Sequence, residues 1–93
     1  MKKYFTFIFE NSASRELVEM ILERLPKDKY HISLYRDSNT NDPCITIKYK
    51  PNENILPEPQ TIDSQFLTGM EVKTIMNLSE QDKFINNIRN YFE

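Results

Sequence analysis

The sequence of 93 residues has no tryptophan and only one glycine, one cysteine and one histidine. Each shortage removes a class of function. A lone Gly69 cannot build the glycine-rich loop whose amides cradle phosphates. A lone Cys44 cannot form an internal disulfide, which fits a reducing compartment. One His and one Cys do not make a metal-ligand spacing such as Cys-x-x-Cys or His-Glu-x-x-His. Neither a metal nor an organic cofactor is therefore expected. Long apolar runs are missing too, and nothing approaches the ~20 residues of a membrane-spanning helix. The first apolar stretch ends at Glu10 after about six residues, shorter than the ~7–15 of a signal peptide. A cytoplasmic location with no membrane partner is the expectation.

Charge of one sign is scarce overall, but unevenly spread. Twelve basic against 14 acidic residues give a net charge of -2, so there is no global attraction to phosphates. Residues 1–50 carry nine basic and seven acidic residues, whereas 51–93 carry three and seven. Between Lys50 and Lys73 every charged residue is acidic: Glu53, Glu58, Asp63 and Glu71.

What the chain does have is aromatics, six Phe and five Tyr, enough to furnish a core without disulfides. With 39% hydrophobic and 28% charged residues, one globular domain over 1–93 is expected. Residues 3–10 alternate as a strand, with Phe5, Phe7 and Phe9 on one side and Tyr4, Thr6 and Ile8 on the other. Residues 13–25 carry a helical stripe of Leu17, Val18, Ile21, Leu22 and Leu25, which Pro26 stops. Residues 29–37 and 43–50 read as a hairpin around Ser38-Asn39-Thr40-Asn41. Keeping the faces unmixed pairs Tyr35 with Cys44, Ser33 with Thr46 and His31 with Lys48. The prolines at 51, 57 and 59 argue against regular structure over 51–61, within a long connection to about 69. A fourth strand is placed at 70–77, with Met70, Val72 and Met76 on one side. A final helix is capped by Ser79, with Phe84, Ile85, Ile88, Tyr91 and Phe92 as its stripe.

The order β-α-β-β-(β)-α leads to an α+β two-layer sandwich, a mainly antiparallel sheet of three to four strands with two helices on one face. Its element order resembles the split β-α-β half of ferredoxin-like folds. The expected shared core includes Phe5, Phe7, Ile32, Leu34, Ile45, Ile47, Leu17, Ile21, Ile88 and Phe92.

Catalysis finds little support. His31 and Cys44 fall two rungs apart, about 7–8 Å or more, too far for a nucleophile–base pair. Asp37, Asn39, Asn41 and Asp42 lack the glycine and closing Glu of a calcium loop, and such residues ordinarily serve the turn itself. The uncovered sheet face is more informative. There Tyr4, His31, Tyr35 and Lys48 come together, a composition suited to a protein interface. With Lys2, Lys3 and Lys50 nearby, the same face offers an alternative reading as a platform for RNA bases. The acids Glu53, Glu58, Asp63 and Glu71 could meet a basic protein surface. The leading expectation is a small non-enzymatic protein-binding domain, of the inhibitor, immunity or antitoxin type, whose partner is another protein with a basic surface.

Overall fold

A computed structural model describes residues 2–10, 15–52 and 60–93. Its strands are β1 (Lys2–Phe9), β2 (Tyr30–Arg36), β3 (Pro43–Tyr49) and β4 (Gln60–Leu67). Its helices are α1 (Arg15–Arg24), α2 (Gly69–Ile75) and α3 (Leu78–Phe92), and a single 3-10 turn, Lys50–Asn52, follows β3. The strands form one sheet in the order β2-β3-β1-β4. β3 is antiparallel to both β2 and β1, while β4 runs parallel to β1, so the sheet is mixed.

Burial decides the layers. Leu17, Met20 and Ile21 of α1, Val72 of α2, and Ile85, Ile88 and Phe92 of α3 share one core with Phe7, Phe9, Ile45 and Ile47. All three helices therefore cover the same face of the sheet, giving an α+β two-layer sandwich. Phe5 packs on this core with its ring edge-on to Tyr91. Phe92 extends the aromatic layer to Tyr30 and Tyr49.

The hairpin has the register that alternation demands, from Tyr30 opposite Tyr49 to Arg36 opposite Pro43. Its loop is closed by the Asp37 amide donating to the Asp42 carbonyl at 2.9 Å. The Asp37 carboxylate accepts the amides of Asn39 (2.8 Å) and Thr40 (3.0 Å), the turn role expected of it. These two bonds hold its carboxyl below the ordinary carboxylate range. Asn41 takes a φ of 61°, a left-handed conformation that asparagine tolerates better than most residues.

Four expectations are corrected. The fourth strand is Gln60–Leu67, inside the stretch read as a connection, and Gly69–Ile75 is a helix instead. The Thr68 side chain accepts the Glu71 amide at 3.2 Å and so caps α2. Two helices become three. The last helix begins two residues earlier than the Ser79 cap allowed, with Asn77 at its N-cap position. Finally, Leu34 is 56% exposed and outside the core. It sits on the outermost strand.

The polar register of β4 explains why it escaped the alternation test. Asp63 and Gln65 pair with Phe5 and Phe7 and so lie on the helix side, where an apolar residue was looked for. Asp63 is compensated by Tyr91, whose hydroxyl donates to its carboxylate. Burial, then that hydrogen bond and the nearby negative charge, push the Tyr91 hydroxyl up to about 12. A raised phenol pKa favours the folded state below the unfolded value near 10, and that contribution disappears as pH rises toward 12. An alkaline titration of tyrosinate absorbance should thus show a fraction still protonated above pH 11, and Tyr91→Phe should shrink it. An unchanged late fraction in that variant would remove Asp63 as Tyr91's partner.

Candidate functional site: the open sheet face

The face of the sheet opposite the helices is arranged by the strand register into three rows, each crossing all four strands. The first row is Phe66, Ile8, Cys44 and Tyr35. The middle row is Ser64, Thr6, Thr46 and Ser33. The third is Ile62, Tyr4, Lys48 and His31. Strands about 4.8 Å apart make each row roughly 14 Å long.

The rows differ in chemistry. The first is apolar, and its ends are open: Phe66 is 51% and Tyr35 47% exposed. The middle row is made of hydroxyls, with Thr6 and Thr46 sharing a hydrogen bond at 3.0 Å. Tyr35 reaches across to Thr46, hydroxyl to hydroxyl at 3.0 Å. That bond fixes the Tyr35 ring against the sheet, so little rotamer freedom remains to be lost on binding. In the third row Ile62 is 63% exposed, and the Lys48 amine lies 5.2 Å from the centre of the Tyr4 ring. This is a cation–π contact between cross-strand neighbours.

The expected residues divide in two. Tyr4, His31, Tyr35 and Lys48 do lie on one face, and they are joined there by Ile62 and Phe66 of β4. Sequence reasoning missed those two because β4 itself was missed; the Ile62, Ser64, Phe66 alternation was the available signal. The acids do not form one patch with them. Asp63 is on the helix side at Tyr91, and Glu71 is in the first turn of α2. Glu53 and Glu58 lie outside the described residues. The lysines proposed to accompany an RNA-binding face are also turned elsewhere. Lys3 lies over the Tyr91 ring, 5.4 Å from its centre, and Lys50 donates to the Lys27 carbonyl at 2.7 Å. The side chain of Lys2 is outside the described set.

No protein-family model, curated protein or solved structure matches this chain.

Chemistry on the face is sparse. Among the described residues no group of three or more His, Cys, Asp and Glu could hold a metal. Also among them, no helix is long and apolar enough to cross a membrane. His31 and Cys44 are placed in different rows on neighbouring strands. Cys44 is 4% exposed between Ile8 and Tyr35, and its thiol points to the Asp42 carbonyl at 3.6 Å. Burial, with Asp37 nearby, pushes the thiol pKa up, away from the reactive thiolate. A disulfide reagent should accordingly label Cys44 slowly in the native protein and rapidly after denaturation. Fast native labelling would show this part of the face to be open.

A second concavity lies on the other side of the sheet. It is a cavity of about 280 Å³ between β4 and α3, lined by Phe5, Phe7, Gln65, Phe84, Asn87 and Tyr91. Its lining is largely aromatic, and no nucleophile or base is poised within it.

Proposed function

We propose that this domain binds another protein through the open face of its sheet, without catalysing a reaction. The observation that carries the reading is the combination of Ile62, Phe66 and Tyr35, all about half exposed or more, on one rigid four-stranded surface. Exposed apolar side chains clustered on an ordered element mark interaction sites. The fixed Tyr35 ring is a suitable anchor, since a few rigid aromatics commonly dominate binding energy. A regulatory partner of the inhibitor or immunity type is the class this suits: a small fold, one flat surface and no chemistry of its own.

The RNA alternative fits less well. Base stacking needs uncovered ring faces and a basic surround. Here Lys48 occupies one face of the Tyr4 ring, while Lys3 and Lys50 are engaged elsewhere. The deciding experiment is binding to partners captured from the source cells, comparing the native protein with Phe66→Ala and Tyr35→Ala. Partners retained by both variants would refute the sheet-face reading. Binding that collapses with modest added salt and competes with single-stranded RNA would favour the alternative.

A further inference from the structure

The outer edge of β2 is prepared for a strand that the described residues do not supply. β2 ends the sheet on one side. In an antiparallel pair, hydrogen-bonded and non-bonded rungs alternate. The Asp37 amide donates to Asp42, and the Lys50 amide donates to the Lys29 carbonyl, so odd-numbered residues of β2 turn their backbone groups toward β3. Ile32 and Leu34 therefore turn their N–H and C=O groups outward, and neither has a partner among the described residues.

Soluble proteins commonly guard such an edge with lysine, proline, a bulge or an inward charge. β4, the opposite edge, carries Asp63 and Gln65 on its helix side. β2 carries Ile32 and Leu34 there instead, with Leu34 56% exposed. Val18 and Leu22 of α1 border these two along shallow grooves. Around Ile32 and Leu34 the edge is thus unpaired in its backbone among the described residues and apolar on its helix side.

The geometry points to a second copy of this chain as the occupant: two β2 strands pair antiparallel about a two-fold axis at Ser33, joining two sheets into one. The register is self-complementary. Ile32 faces the partner's Leu34 and Leu34 faces the partner's Ile32, so the outward backbone groups of all four residues satisfy one another. Ser33 faces its own copy in a non-hydrogen-bonded rung on the axis. Just beyond the strand, Lys29 faces the partner's Asp37, and the reciprocal pair forms on the other side. Asp37 is held in place for this by the Asn39 and Thr40 amides.

Neighbouring registers are worse. A slip that puts Ile32 on the axis sets Leu34, in place of Arg36, against the partner's Tyr30, whose amide already donates to the Pro26 carbonyl at 3.0 Å, and sets Lys29 against the partner's Tyr35 instead of Asp37. The opposite slip sets Ile32 against the partner's Arg36 and separates Lys29 from the partner's Asp37. A one-residue slip mixes apolar and polar faces. The two-fold axis is perpendicular to the sheet, so both helix layers stay on one side and both open faces on the other. This edge association is separate from the sheet-face binding proposed above.

Sedimentation equilibrium and a cysteine cross-link test it. The native protein should shift from dimer to monomer on dilution. Leu34→Lys, at an exposed position, should raise the dimer dissociation constant by about tenfold or more, as a charged edge residue does. Ile62→Lys, on the open face of the far strand, should leave it unchanged. Ser33→Cys should oxidise to a disulfide-linked dimer in air, since a non-hydrogen-bonded rung spaces Cα atoms about 4.5 Å apart, within disulfide reach. Ser64→Cys, on β4, should not. Circular dichroism confirms folding of each variant. A native protein that stays monomeric at high concentration overturns the proposal. So does a dimer broken by Ile62→Lys but kept by Leu34→Lys, because that dimer would use the open face.

Discussion

Replacing Phe7 with alanine is expected to destabilise the protein by about 3–5 kcal/mol, and replacing Ile47 with alanine by about 2–5 kcal/mol. Both side chains are almost wholly buried, on adjacent strands at the middle of the sheet. Phe7 also touches the rings of Phe5, Phe9 and Phe84, so its removal loosens three aromatic contacts as well as leaving a void. A domain of this size has a total stability of roughly 5–14 kcal/mol. Either change therefore consumes a large share, and a melting midpoint lower by about 10–30 °C should follow. Leu34→Ala supplies the contrast within the same sheet. Leu34 is exposed, so less than about 1 kcal/mol is expected for the monomer. Urea titrations of the three variants check the set. A Leu34 loss matching that of Phe7 would mean that the helix layer reaches further over β2 than described.

Joint substitution of Phe66 and Tyr35 by alanine should weaken partner binding by about 30-fold or more while the fold stays intact. The two rings are the exposed ends of one row, on opposite edges of the sheet. Truncating an aromatic anchor that dominates an interface costs about 2 kcal/mol or more, which corresponds to that factor. The loss should appear in the dissociation rate, because contacts rather than long-range charge are removed. It should also depend little on salt, unlike contacts to a phosphate backbone. Surface plasmon resonance at two ionic strengths separates these cases. An affinity unchanged by the double substitution would move the interface off the sheet face.

Three strands and two helices were legible in the sequence because their side chains obey a period. Phe5, Phe7 and Phe9 alternate, as do the two hairpin strands, and the register of the hairpin followed from keeping Ile45 and Ile47 on the same face as Ile32. β4 was illegible for a physical reason. It is an edge strand whose helix side is only partly covered, so Asp63 and Gln65 are allowed where the core would require apolar residues. Two of its three apolar members, Ile62 and Phe66, face away from the core, and only Leu67 at its end is buried there. The exposure of Leu34 was hidden by the converse effect: alternation assigns a face but not how far the neighbouring layer extends across it. Thr68-x-x-Glu71 was a readable helix start, and its side-chain cap confirms that the local signal was there. Half of the candidate site followed from the hairpin register, a quarter from the alternation of β1, and the last quarter, Ile62, Ser64 and Phe66, arrived with β4.

The order of strands in the sheet has a consequence for synthesis. β1 is central, yet both of its neighbours come much later in the chain, with Phe9 beside Leu67 and Phe7 beside Ile45. At about 5–20 residues per second, a ribosome needs roughly 3–12 s to travel from Phe9 to Leu67. Until β3 is made the segment Tyr4-Phe5-Thr6-Phe7-Ile8-Phe9 has neither of its sheet partners, and for the rest of that interval it has only one. It combines high β-propensity with no charge and no proline, the profile of a segment that associates with copies of itself. The nascent chain thus displays this adhesive stretch before either of the strands that shield it. Chaperone demand should accordingly peak before β3 emerges and fall once β4 has docked.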